Sequence, residues 1–316
     1  MKIAFMGTPD FSVPILEKLI EQPDVDVVCV VTQPDRPRGR RHVLTAPPVK
    51  LLAARCGIPV LQPERVRQPE AVAAMLAYAP DLLVTAAYGQ ILPQSLLLGP
   101  PLGCVNVHAS LLPAYRGAAP IQRAIIDGQS ETGITIMYMV KQLDAGDILA
   151  QSRVKITAED NFGTLHDKLS AAGATLLMQT LPFIASGSVR ATPQDNARVT
   201  YAAMIQREDE VIDWTKPAQR ICWQIRGLSP CPGAYSLLDG KPFKIYAADA
   251  GEERTSEQPG TVVAVTGGGF CIAAGEGSVL VVHDCQPFGG RRMAVADYLR
   301  GSGRKLSVGA QFGGAE

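Results

Sequence analysis

The first half of the chain alternates two hydrophobic patterns. Short unbroken apolar runs stand at residues 2–7, 26–32 and 81–88. They are rich in β-branched residues, as strands covered on both faces of a parallel sheet must be. Between them apolar residues recur at helical spacing. Val13, Leu16, Leu19 and Ile20 share one face of a helix at 12–21, and Leu165, Leu169, Leu176, Leu177, Leu181 and Ile184 share one face of a long helix at 163–186. Helices at 49–56, 70–78 and 119–127, with strands at 59–61, 104–108, 132–140 and 148–156, complete the alternation. Repeated βα units predict an α/β fold with a wound, mostly parallel sheet. Residues 33–48, rich in Pro, Arg and Gly, read as a loop.

After residue 189 the rhythm stops. Residues 190–207 are polar and carry no strand signal, so they read as a linker between a first domain at 1–189 and a second at 208–316. Beyond the linker a helix at 217–225 is followed by short strands at 233–238, 241–248, 261–266, 270–273 and 279–286, with turns at Asp239-Gly240 and two Gly-rich sites. Evenly spaced short strands suggest a small barrel, an OB-like one among the options. A short helix at 295–299 is expected, and the tail after Gly301 is expected to fray.

Composition narrows the partners. Lys plus Arg balance Asp plus Glu at 30 each, so no global field draws in nucleic acid and any such contact must be local. The seven Cys form no C-x-x-C pair, which reads as free thiols in a reducing cytoplasm rather than a zinc site. Four His leave little for a His-rich metal centre. The N-terminal apolar run is too short for a signal peptide, and none approaches a membrane span. The first βα turn, G-T-P-D-F, lacks the glycines of a dinucleotide site; a P-loop and a nucleophile elbow are also missing.

The chemistry concentrates at residues 103–117, G-C-V-N-V-H-A-S-L-L-P-A-Y-R-G. Asn106 and His108 interrupt an apolar strand two residues apart, so they project from one face. They are either a core pair bonded to backbone or a site. The irregular loop after them, with Arg116 in a turn, favours a site, because open α/β sheets place ligands at the carboxyl ends of their strands. The loop L-D-A-G-D at 143–147 follows the strand at 132–140, and from there Asp144 can reach His108. Asp147 reads as ordinary turn chemistry.

N-x-H-x-S-L-L-P-x-Y-R-G followed by L-D-A-G-D-I-L resembles the folate-dependent formyltransferases. The segments I-A-F-M-G-T-P-D-F, V-T-Q-P-D-R-P, A-A-Y-G-Q-I-L-P, G-A-A-P-I-Q-R-A-I and E-T-G-I-T-I-M-Y-M, with I-D-W-T, I-R-G-L-S-P and P-G-A-Y, extend the resemblance over essentially the whole chain. They are similar to the branch of the family that acts on tRNA. The resemblance implies a Rossmann-like catalytic domain, a linker and an OB-like tRNA-binding domain. It implies transfer of formyl from 10-formyltetrahydrofolate to the α-amine of charged initiator methionyl-tRNA, with tetrahydrofolate as the second product and no metal. No broad apolar stripe asks for a second copy, so a cytoplasmic monomer is expected.

Formyl transfer to an amine passes through a tetrahedral oxyanion, for which fixed donors lower the barrier by about 3 kcal/mol each. Asn106 and His108 are suitable donors, and Asp144 would keep His108 protonated or oriented. Tyr88, Gly89, Gln90, Ile91 and Leu92, with Ser110, Leu111, Leu112, Pro113 and Ala114, would line the folate through apolar side chains and free backbone groups; plain core packing is the alternative for the four Leu and Ile. For tRNA the candidates are Arg36, Arg38, Arg40 and Arg41, four Arg within six residues. In the family this loop enters the acceptor stem and Arg40 falls on its key arginine. Here Arg41-His42-Val43 stands where a Gly and two Lys often follow. Arg291 and Arg292, with Arg300, Arg304 and Lys305 and only Asp297 to oppose them, form a second patch. A formyltransferase for a small amine or a folate-linked hydrolase would share the three site residues without needing the arginine loop. A non-catalytic RNA-binding protein would need no buried polar pair.

Overall fold

The computed structural model describes residues 1–38 and 42–313. Its elements in chain order are β1 (Lys2–Gly7), α1 (Val13–Ile20), β2 (Asp26–Val31), β3 (Arg36–Arg38), β4 (Val43–Thr45), α2 (Pro48–Arg55), β5 (Val60–Leu61), α3 (Pro69–Leu76), β6 (Leu82–Ala86), α4 (Gln94–Leu97), β7 (Cys104–His108), β8 (Arg116–Gly117), α5 (Pro120–Ile126), β9 (Glu131–Tyr138), β10 (Ile148–Lys155), α6 (Phe162–Ala185) and β11 (Tyr201–Ala202). There follow α7 (Ala218–Leu228), β12 (Ala234–Leu238), β13 (Lys241–Ala250), β14 (Val262–Val265), β15 (Phe270–Ala273), β16 (Val279–Gln286), β17 (Met293–Ala294), α8 (Val295–Arg300) and β18 (Phe312–Gly313). Two units share them. The first comprises Met1–Pro120, Glu131–Lys155 and His166–Ala202; the second comprises Ile121–Ser130, Ile156–Leu165 and the chain from Ala203 onward.

The first unit is built on a seven-stranded sheet of order β10-β9-β7-β6-β1-β2-β5. β5, β2, β1, β6 and β7 run parallel, and β9 and β10 add an antiparallel hairpin at the edge. Winding proceeds from β1 through β2 to β5 on one side, and through β6 to β7 on the other. The chain therefore switches direction between β1 and β6, and a crevice opens at their carboxyl ends. The pleat of β7 sorts its side chains. Val107 meets α6 at Gly173, where an added Cβ would lie 2.9 Å from its Cγ1. Cys104 joins the opposite cluster with Ala4, Met6, Val72, Met75 and Leu96. Asn106 and His108, spaced by two from Cys104, emerge on that second face.

The second unit is a curled antiparallel sheet of order β14-β15-β16-β13-β12-β18, with β17 beside β16. Its two ends come together through Val262 N donating to Ala310 O and Phe312 N to Gly260 O, each at 2.8 Å. Ile221, Ile225 and Leu228 of α7 pack with Phe243, Phe270 and Phe312 in its core.

Three expectations change. Residues 33–48 contain a hairpin, β3 with β4, in register Arg36–Thr45 and Arg38–Val43. Strands of only three residues, with Arg36, Pro37, Val43 and Leu44 exposed, carry no hydrophobic pattern to read. The tail does not fray through residue 313, because Phe312 is 1% exposed and stacks on Phe270 at 5.9 Å. Residues 190–202 lie within the first unit: Thr192 bridges to Ile148, and β11 pairs with β8.

Candidate active site

Strand β7 delivers its polar pair to the carboxyl end of the sheet. Asn106 is gripped by the neighbouring strand, the Thr85 hydroxyl standing 2.7 Å from Asn106 Oδ1. Its Nδ2 hydrogens bond no protein group among the described residues, which leaves two donors available. His108 is 6% exposed, and its Nε2 lies 3.0 Å from the Tyr115 carbonyl. A carbonyl only accepts, so Nε2 carries the hydrogen. The other ring nitrogen, Nδ1, faces Asp144 Oδ2 at 3.8 Å. That separation exceeds a hydrogen bond but leaves the carboxylate as the near counter-charge for the ring. The same oxygen accepts the Gly117 N–H at 2.8 Å. The amide, imidazole and carboxylate read from the sequence are thus brought together, each held by a partner: Thr85, Tyr115 and Gly117.

Sequence reasoning passed over Thr85, although a lone polar residue inside the apolar β6 run was a signal that could have found it; the roles of Tyr115 and Gly117 left no such signal. Gly117 has φ +121 and a Cβ there would lie 2.7 Å from the Ala202 carbonyl, so the turn closes on β11 only with glycine. Arg116, expected as a turn cation, is instead 2% exposed; its Nε and Nη2 donate to Gln194 Oε1 at 3.1 and 2.7 Å.

The candidate folate-lining residues form two loops. Tyr88 is buried and its phenol oxygen has no hydrogen-bond partner among the described residues. Its carbonyl accepts from Thr8 Oγ1 at 3.0 Å and Gln33 Nε2 at 3.1 Å, which ties the ends of β1, β2 and β6 into one rim. Gln90 extends that rim, accepting from Val66 N at 2.8 Å. The N–H groups of Gly89, Gln90, Ile91 and Leu92 bond no described residue. Ile91 is 80% exposed beside the buried Leu92. In the second loop Leu112 is buried, Leu111 packs where Gly133 leaves room, and Pro113 accepts from Thr200 N. Ser110 is fully buried and donates to the Ala114 carbonyl at 2.6 Å, so it braces the loop rather than acting as a nucleophile. The buried Cys29 and Cys104 thiols are pushed up to about 12 by desolvation, which keeps them protonated and inert at neutral pH.

Of the arginine candidates, Arg36 is exposed and pairs with Glu64 at 3.1 Å, and Arg38 ends β3. Arg40 and Arg41 lie outside the described residues. Arg291 is exposed. Arg292 stacks 4.5 Å over the Tyr246 ring and pairs with Asp284 at 2.7 Å, so Asp297 is not the sole acid of that patch. Among the described residues no group of three His, Cys, Asp or Glu could hold a metal ion, and no helix is long and apolar enough to cross a membrane.

A wound α/β sheet with an amide, an imidazole and a carboxylate gathered at its strand ends has the architecture of an enzyme that binds its ligands at a topological switch point. Residues 1–181 match the family model described as Formyl transferase, and residues 204–303 match Formyl transferase, C-terminal domain. The chain belongs to the formyl transferase family. Methionyl-tRNA formyltransferase of Halalkalibacterium halodurans is 55% identical over 316 residues, covering 100% of this chain and 99% of its own. That of Listeria monocytogenes is 54% identical over 312 residues, 99% of each chain. Among solved structures, HypX from Aquifex aeolicus in complex with tetrahydrofolic acid aligns with a TM-score of 0.64 at 18% identity, over 96% of this chain; this chain spans 48% of that protein. The N-formyltransferase from Helicobacter canadensis aligns with a TM-score of 0.65 at 17% identity, over 91% of this chain and 100% of its own. These likenesses carry the fold, Rossmann-like in the first unit.

Proposed function

We propose that this chain transfers the formyl group of 10-formyltetrahydrofolate to the α-amine of methionine on charged initiator tRNA, yielding N-formylmethionyl-tRNA for translation initiation. The observation that carries this is the convergence of Asn106, His108 and Asp144 at the strand ends, in a chain alike to methionyl-tRNA formyltransferases along its whole length.

The residues present fit a folate. A flat heterocycle with amide-like edges wants unpaired backbone donors and apolar walls. The free N–H groups of Gly89 to Leu92, the exposed Ile91 and the orphaned Tyr88 hydroxyl offer both. When bound, the folate supplies an activated N-formyl carbon. Asn106 donates from Nδ2 to the oxygen on which negative charge develops. His108 offers Nδ1, the nitrogen not tied to Tyr115, as the atom that holds or passes a proton between the attacking amine and the leaving nitrogen. Asp144, pinned by Gly117, gives that ring a counter-charge while the proton is in transit. With 30 basic and 30 acidic residues overall, tRNA is gripped locally: by Arg36, Arg38, Arg40 and Arg41, and by Arg291 and Arg292 on the second unit. The enzyme works as a cytoplasmic monomer.

The test is to incubate the protein with labelled 10-formyltetrahydrofolate and charged initiator tRNA. Label should appear on the methionyl amine. Release as free formate, or transfer only to small amines, overturns the proposal.

A further inference from the structure

Asp144 sits in the left-handed region at φ +47, a conformation costly for most L-residues and less so for Asp, which still needs hydrogen bonds to fix it there. Hydrogen bonds that hold the loop come from outside it. The Gln194 side chain, 9% exposed, donates from Nε2 to the carbonyls of Asp144 and Gly146, both at 2.8 Å. Its Oε1 in turn accepts two hydrogen bonds from the buried Arg116 guanidinium. Two residues before Gln194 the chain is anchored by two backbone bonds between Thr192 and Ile148, at 2.8 and 2.9 Å, where the Asp144 loop enters β10. An amide is the side chain that can accept from a guanidinium at one end and donate to two carbonyls at the other.

We propose that Gln194, seated by Arg116, is a positioning residue for formyl transfer. It clamps the loop so that the Asp144 carboxylate faces His108 Nδ1, and it makes residues 190–202 part of the active-site structure. This rests on the formyl-transfer role given above to His108 and Asp144.

Gln194→Glu separates clamp from packing. Glutamate keeps the shape and both acceptor bonds from Arg116, yet it removes the two N–H donors and turns a negative oxygen toward the carbonyls of Asp144 and Gly146. Misplacing a catalytic group by about 1 Å costs up to ~100-fold, so kcat should fall by about tenfold or more in Gln194→Glu. KM for either substrate should stay within about threefold, because no binding group is removed; the thermal midpoint should fall, since two buried hydrogen bonds are lost, so kcat is compared at a temperature where both proteins are folded. If Gln194 acts through Asp144, then adding Gln194→Glu to Asp144→Ala should lower kcat less than about twofold further. A Gln194→Glu enzyme with parental kcat, or losses that multiply in the double variant, overturns the inference. Its crystal structure gives a separate readout. Asp144 Oδ2 still within 4 Å of His108 Nδ1 also overturns it, whereas parental activity in Asp144→Ala alone would instead sink the role assigned to Asp144.

Discussion

Residues 109–117 and residues 190–202 run side by side in the first unit and do opposite jobs. Tyr201 pairs with Arg116 and Ala202 with Gly117, while Tyr115 N donates to Thr200 Oγ1 at 2.9 Å and Arg116 N to Thr200 O at 2.9 Å. The first segment continues directly from the strand that bears Asn106 and His108. It supplies the carbonyl and the N–H that hold His108 and Asp144. The second supplies no group to the chemistry we propose, yet it fixes the first in place and reaches Asp144 through Gln194. Reactive groups can be contiguous in a chain; the forces that aim them come from wherever the fold brings a complementary hydrogen-bonding edge.

That contrast can be broken from either side. The largest effect belongs to the strand. Asn106→Ala or His108→Ala should each lower kcat/KM by about a hundred- to a thousandfold with the fold intact, as for loss of an oxyanion donor at Asn106 and of a proton-transfer group at His108. A folded variant of either within a few-fold of the parent would remove that residue from the mechanism. A middle effect tests whether the Asp144 loop depends on support from outside itself. At Gly146 an added Cβ would stand 1.8 Å from the Tyr138 carbonyl, so Gly146→Ala must push the loop off both Tyr138 and Gln194. It should lose about 2 kcal/mol or more in urea unfolding, together with most of kcat. Unchanged stability and turnover would mean the loop is self-supporting.

The smallest effect lies outside both segments and serves as their reference. Asp209 is held below the usual carboxylate range chiefly by hydrogen bonds from Arg123, at 2.7 and 2.9 Å. A depressed carboxyl adds stability above its unfolded pKa of about 3.9, and that stability is lost as pH falls through the lower folded value. Arg123→Gln should flatten this acid limb of the urea midpoint by less than ~1 kcal/mol, since the pair is partly solvated. An unchanged acid limb would show that the pair contributes nothing.

Much of the fold was legible because its signals are local. Unbroken apolar runs placed β1, β2 and β6, and the shorter strand-like stretches placed β7 and β9, all to within about two residues, and the 3.6-residue stripe placed α6. The Asn106–His108 pair was legible for the same reason, since alternation alone puts both on one face. The β3–β4 hairpin was not, because strands of three residues are too short to show a pattern; nor was the seating of Phe312, whose partners Phe243 and Phe270 lie far back in the chain. Arg116 misled because a Y-R-G turn usually exposes its cation, and nothing near it in the chain announces Gln194.

By itself the amino-acid order determined the alternating sheet, the face carrying Asn106 and His108, and an acidic loop close enough to join them, because periodicity and turn chemistry act over a few residues. Only the tertiary structure decided which nitrogen of His108 faces Asp144, why Arg116 is buried, and that a polar stretch between two units belongs to the first. Those outcomes depend on which backbone carbonyls meet which side chains across some 80 residues, and a hydrogen bond is satisfied by proximity in space rather than in the chain.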